Sequence, residues 1–444
     1  MNLKTSPAPA LASNLSPSVF LPLRFVIMGI ASLIAGVVLL ALRPDILATY
    51  HFNQYAISAT HLIVLGFITS IVMGAMYQLV PVALETQLHS EPLARWQFVI
   101  HAVGVSGLVW TMWFWKLPWM IGFGGVVALD FALFVYNVAR TLQRVPRWNS
   151  IATGIASALA WLAWTGIAGV FVAASKLWTF TPFHPLAQAH AHAHAGVIGF
   201  FLMMLVSVSY KLVPMFTLSE LQSETRVRWS IRFLNFTLAA LFLTMLLQSR
   251  WKLTAAVLLG GALAVYGWEM LAILRARKRR VIDWGLRYYL TALALLIPLG
   301  LLGVALSWPG LPATLLTTQL ENVYGFVAVI GVVTFTILGF LYKIVPFLVW
   351  YHAYSPAVGR HKVPSLGDLY STPLQVAGYW LFSAGLVVTS TGAALSQPRP
   401  VQLGCVILLA SLGVFAANMA AILSHFFRPR LAPLNLPSIA VKRV

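Results

Sequence analysis

Runs of apolar residues, each about 20 long and nearly free of charge, recur from one end of this chain to the other. A helix of that length spans ~30 Å, the thickness of the hydrocarbon core of a bilayer. In lipid only a helix or a closed barrel satisfies its own backbone. The runs fall at about 19–42, 58–83, 96–116, 118–140, 151–174, 190–214, 229–247, 253–274, 286–307, 321–349, 373–395 and 401–424. They predict an all-α polytopic membrane protein of about twelve transmembrane helices. Composition excludes a water-soluble alternative: hydrophobic residues make up 60% of the 444 and charged residues only 9%, with a mean hydropathy of +0.85. A soluble domain carries roughly 25% charged residues.

The net charge of +19 invites a nucleic-acid reading, but its distribution favours topology. Arg95, Arg140, Arg226, Arg228, the run Arg275 to Arg280 and Arg287 fall with the N-terminus and the loops after even-numbered spans. The opposite loops hold Arg43, Lys116, Lys176, Arg250, Lys252 and Arg399. By the positive-inside rule both termini are cytoplasmic, and the basic excess also attracts anionic lipid. The expected partner is therefore the lipid bilayer and not nucleic acid. The chain divides into a cytoplasmic tail over 1–18, one transmembrane domain over 19–424 and a second cytoplasmic tail over 425–444. A lone cysteine, Cys405, rules out a disulfide framework or thiolate cluster, so any metal falls to histidines.

An internal repeat organises the spans. On the second, sixth and tenth a glycine is followed eleven residues later by a tyrosine and fifteen later by a proline: Gly66, Tyr77, Pro81; Gly199, Tyr210, Pro214; Gly331, Tyr342, Pro346. Ser90, Ser223 and Ser355 follow each proline by nine residues, and Arg95, Arg228 and Arg360 by fourteen. Three tandem four-helix blocks, about 19–150, 151–285 and 286–424, account for these coincidences and predict a pseudo-threefold architecture with sites in the clefts between blocks.

Six of the eleven histidines, His51, His61, His184, His190, His192 and His194, gather near the starts of the second and sixth spans. His61 and His194 share one repeat position, five residues before Gly66 and Gly199. In the third block that position is Phe326, and His192 corresponds to Tyr324. At 100° per residue, His192 and His194 point to opposite sides of a helix, so one helix can serve two sites. Hydrogen-bonded interfacial histidines are one reading. Ionisable groups in a membrane are costly and tend to be functional, and neutral imidazole is a ligand for iron, copper and zinc. Metal or haem binding is therefore the expectation, with two of the three blocks supplying the ligands and His190, His51 and His184 as further metal ligands. Asp130 and Glu269 are intramembrane carboxyls read as structural, His101 as packed and hydrogen-bonded, and Lys211 and Lys343 as interfacial anchors. Glu321 is the third block's only polar candidate near the histidines.

The stretch HAHAGVIGFFLMMLVSVSYKLVP resembles the helix of haem-copper oxidase subunit I that carries H-x-H-x-G-x-x-G ahead of a Y-x-x-x-P ending, as in the nitric oxide reductase and microaerobic cytochrome oxidase branches. YQLVPVALETQLHSEPLARWQF resembles the exit from the same helix. The resemblance implies a low-spin haem b between His194 and His61, His192 as ligand to a second haem, copper as a further metal, and a quinol or cytochrome c as electron donor. It implies electron transfer or redox chemistry on O2 or NO in a bacterial inner membrane. This H-x-H lies on the sixth span, where the family has it on the tenth, and the seventh span lacks the family's adjacent His-His pair for copper. Whether the chain is an enzyme is therefore left open. The membrane haem-copper proteins of the nitric oxide response are also similar, and imply instead a protein that binds or handles haem or copper without turnover. A transporter with rocking repeats would place its site at the midplane.

Overall fold

The computed structural model describes residues 17–433. Most of the expected tails lie outside these residues. Twelve long helices run in sequence: α1 Phe20–Leu42, α2 Gln54–Ala83, α3 Glu91–Trp113, α4 Leu117–Leu142, α5 Ser150–Ala174, α6 Pro185–Thr217, α7 Glu224–Leu246, α8 Lys252–Arg275, α9 Trp284–Leu306, α10 Leu315–Ala353, α11 Thr372–Ala394 and α12 Pro398–Ser424. The protein is an all-α polytopic membrane protein. By length and composition eleven of these helices can cross a membrane, against the twelve expected. The exception is α3, 23 residues long but diluted by Glu91, Arg95, Gln97 and His101.

The polar groups of α3 are spent inside the protein. His101 accepts or donates at both ring nitrogens, 2.8 Å from Ser70 Oγ and 2.7 Å from Asp130 Oδ2, while Gln97 Nε2 donates to Asp130 Oδ1. Ser70, Gln97, His101 and Asp130 are all fully buried. A buried polar group without partners costs several kcal/mol, so such a set is stable only when closed.

Helices α2, α6 and α10 form the interior. Their spans are 67%, 72% and 72% buried, against 11–44% for the other eight that qualify as spans. Around them α4 packs on α5, α8 on α9 and α12 back on α1, closing a ring of three four-helix units. The repeated glycines explain how the inner helices approach so closely. A Cβ at Gly66 would stand 2.8 Å from Ser32 on α1, at Gly199 2.8 Å from Trp161 on α5, and at Gly331 3.3 Å from Leu295 on α9. Each inner helix also contains an eight-residue π-helical stretch at the matching place: Leu62–Thr69, Ala195–Leu202 and Val327–Thr334. Thr69 and Thr334 close theirs by donating to the carbonyls of Val64 and Val329, five residues back.

A further repeat holds the outer helices. Ser90 and Ser223 cap α3 and α7, their hydroxyls accepting from the N–H groups of Leu93 and Arg226. In the third block Ser355 does not take this role, because α10 runs on to Ala353 and a segment with a 3-10 turn and strand β1, His361–Lys362, intervenes. Ser371 caps α11 instead. The fourth helix of each block then accepts the cap's own N–H, through Asn137, Glu269 and Asn418. Glu269 also pairs with Arg226 at 2.6 Å, consistent with a structural carboxylate. Lys343, expected as an interfacial anchor, is bound to Asp283 at 2.5 Å.

Candidate functional site

Where α2, α6 and α10 begin, the three blocks enclose a cavity of about 740 Å3, lined by all six clustered histidines and otherwise mainly by apolar side chains. Cofactor and ligand pockets run from roughly 300 to 1,000 Å3 with few polar groups on apolar walls. The starts of the three helices are fixed by side-chain caps. Asn53 accepts from Tyr55 and Ala56, His184 from Leu186, and Thr314 forms a reciprocal box with Thr317.

Residues 190, 192 and 194 all lie in the α-helical first part of α6, so their rings diverge as the spacing requires. His192 turns toward the first block: its ring faces His61 with centroids 6.3 Å apart and planes 11° from parallel. His194 turns toward the third block and faces Tyr324, with centroids 5.8 Å apart, planes 20° from parallel and Tyr324 Oη 3.4 Å from its Nε2. The pairing implied by the motif, His61 with His194, is thus not the one the helices bring together. The position of His61 in one block faces the position of His192 in the next, and the third block completes the second cleft with Tyr324.

Tautomers follow from the hydrogen bonds. His61 Nδ1 lies 2.7 Å from the Ile57 carbonyl and His194 Nδ1 2.8 Å from that of His190; a carbonyl only accepts, so each Nδ1 carries the proton and each Nε2 keeps a lone pair. Such a hydrogen bond is the usual device for orienting a ligating imidazole. His192 Nδ1 is buried without a hydrogen-bond partner. Its ring lies where Gly169 on α5 leaves room, since a Cβ there would stand 3.0 Å from His192 Cε1; Gly303 on α9 stands in the same relation to Tyr324, at 3.1 Å.

At the mouth, His51 Nε2 lies 3.1 Å from His190 Nε2, and His51 Nδ1 lies 3.9 Å from the Glu321 carboxylate. Burial lowers the His51 pKa below its ordinary value, which keeps the ring neutral near pH 7. His184 lines the cavity but is occupied as the α6 cap and does not join the other two. Lys176 and Lys252 supply positive charge to the same wall. The Lys176 ammonium sits 4.7 Å from the Phe52 ring centroid, and burial lowers its pKa. The participation of Tyr324 and Glu321 shows that the third block is part of the site's wall. Tyr324 stood in the repeat alignment opposite His192, so the signal for it was present as a position and absent as a residue type.

No protein-family model matches the chain, and no curated protein matches it by sequence. Among solved structures it is similar to a chain of a heme-copper terminal oxidase whose dimer was determined by cryo-electron microscopy. The TM-score is 0.61 with 12% sequence identity, over 94% of this chain and 84% of that one. The likeness is one of fold, along almost the whole length.

Proposed function

We propose that this protein is a membrane haem protein on the heme-copper oxidase fold, and that one haem b would be held in the cleft between the first and second blocks by His61 and His192. The observation that carries this is the parallel pair of rings 6.3 Å apart. The two rings are not hydrogen-bonded to each other, and a centroid separation of roughly 6 Å is what two imidazoles that each bond one iron at roughly 2 Å would need. The apolar walls suit a porphyrin face, and Lys176 and Lys252 are cations within the same cavity for its carboxylates.

Bound there, the iron would supply one-electron redox chemistry. The chain's own residues set its conditions. The Ile57 carbonyl keeps the proton of His61 on Nδ1, which frees Nε2 for the metal and raises its basicity. The absence of a side chain at Gly169 leaves the room that the His192 ring occupies. The apolar wall excludes water and lowers the local dielectric. His194, whose Nε2 faces the Tyr324 hydroxyl at 3.4 Å, would hold a second metal group in the other cleft, where Tyr324 is the hydrogen-bond donor beside it. The role is electron transfer or O2/NO chemistry in a bacterial inner membrane, with both termini cytoplasmic and a quinol or cytochrome c as donor.

A second reading, a protein that loads and releases haem or copper without turnover, is favoured by the histidines standing at the cavity mouth. One experiment separates them. The purified protein should show a reduced-minus-oxidised spectrum of six-coordinate haem b that persists through extended dialysis with an apo-haem acceptor and does not react with carbon monoxide. Transfer of the haem to the acceptor would favour the carrier; absence of haem from protein expressed with haem supplied would overturn the first reading and the haem form of the second.

A further inference from the structure

Each of the three blocks sends one ligand-type side chain to the mouth of the cavity: His51 from the segment ahead of α2, His190 from α6 and Glu321 from α10. One donor atom from each lies within 4.8 Å of the others. No other group of three histidine, cysteine or acidic residues among the described residues comes together in this way.

We propose that His51, His190 and Glu321 form a second site, separate from the haem cleft, that binds one divalent transition-metal ion of the zinc or ferrous-iron class. Two histidines and one carboxylate on one side of an ion, with the remaining positions open, is the donor set those metals take. The spacing suits it. His51 Nε2 and His190 Nε2 are 3.1 Å apart, and two nitrogens bonded to one ion at roughly 2 Å each stand roughly 3 Å apart. Two imidazoles that near either share a hydrogen bond or hold an ion between them, and a carboxylate whose oxygen lies within 4.8 Å of a donor atom of each favours the cation. The His51 and Glu321 side chains are 28% and 34% exposed, which leaves an entry path.

The surroundings are built to present His51. Just before it the backbone is gripped by α10: Gln319 Nε2 donates to the Ala48 carbonyl at 3.0 Å, and Asn322 Nδ2 to the Thr49 carbonyl at 2.6 Å. Gln319 and Asn322 are 1% and 5% exposed and flank Glu321 on the same turn. One helical turn of the third block therefore both supplies a ligand and fixes the segment that supplies another. His190 is fixed independently, since its carbonyl receives the His194 Nδ1–H. Its ring is parallel to that of His51 within 23°. The ion would tie the three blocks together at one end of the bundle.

The test uses the full-length protein in detergent, stripped with a chelator and dialysed against buffered zinc, with zinc and haem counted in the same samples. Wild type should take up one zinc ion with a 1:1 isotherm. Glu321→Gln, which preserves size, should bind ~100-fold more weakly, as should His190→Ala, and Asn322→Ala ~10-fold more weakly through loss of the grip on the His51 segment. His184→Ala should bind zinc like wild type, and His61→Ala should lose the six-coordinate haem spectrum while keeping the zinc. Haem content in Glu321→Gln reports that the protein remains folded. Wild type without a zinc ion, or Glu321→Gln with as much as wild type, would overturn the proposal.

Discussion

Two clefts in this molecule share one backbone and differ in chemistry. Between the first and second blocks His61 faces His192; between the second and third His194 faces Tyr324. Around the ring, the corresponding positions of the third block and the first are Phe326 and Ala59, both buried and apolar. The scaffold thus offers three equivalent places, and two side chains per cleft decide what each can hold: two nitrogens, a nitrogen and a phenol, or no ligand. The clefts differ at a handful of positions, while the π segments and the repeated glycines recur in all three blocks.

The comparison is broken most directly at its ligands. His61→Ala and His192→Ala should each lower haem affinity by roughly 100-fold or leave a five-coordinate haem that binds carbon monoxide, whereas His194→Ala should keep the six-coordinate spectrum. Absorption spectra of the three variants decide it. If His194→Ala loses that spectrum and His192→Ala keeps it, the pairing implied by the motif is the right one.

Damage to the scaffold alone should lower stability and spare the spectrum of what remains folded. Asp130→Ala strands His101 and Gln97 in the interior of the first block and should cost roughly 3 kcal/mol or more, read as a fall in Tm. Glycine substitutions sharpen the point at smaller amplitude. Gly199→Ala forces a Cβ to 2.8 Å from Trp161 and should cost about 1–3 kcal/mol, while Gly260→Ala, with nothing within 4 Å, should gain up to about 1 kcal/mol from helix propensity. The least effect is expected in the second cleft. Tyr324→Phe removes a hydroxyl held at 3.4 Å and should change stability by about 0.5 kcal/mol, with haem content unchanged. Loss of haem from that variant would mean that the two clefts are not independent.

Much of this was legible in the chain, and the reason is local. Apolar runs of about 20 residues declare helices because the bilayer allows little else, and Gly66, Gly199 and Gly331 share a register because each must let a neighbouring helix close in. That His192 and His194 point to opposite sides of their helix followed from 100° per residue. Which partner each would meet did not, since facing depends on how whole blocks are rotated against one another. The aligned Ser355 marks the repeat but not a helix cap, because the third block inserts a segment before α11 and Ser371 caps that helix. The lock on each cap was hidden by its changing identity, asparagine in two blocks and glutamate in one. His425, in the expected C-terminal tail, is buried and bonded to Tyr354 at 2.6 Å, a contact that no local pattern announces.

The three π segments carry a consequence for how the inner helices could have arisen and how they can be altered. A stretch bonded i to i+5 accommodates an inserted residue without ending the helix. In each inner helix it separates the half that bears the ligand positions from the half that bears the tyrosine and proline. Deleting a single residue within Ala195–Leu202 would let that stretch relax to the tighter ladder, and the ligand-bearing half would swing about 100° relative to the rest. His192 and His194 would then address the wrong neighbours while every side chain remained in the sequence. The phase of the helix is therefore as much a determinant of the site as the histidines it carries.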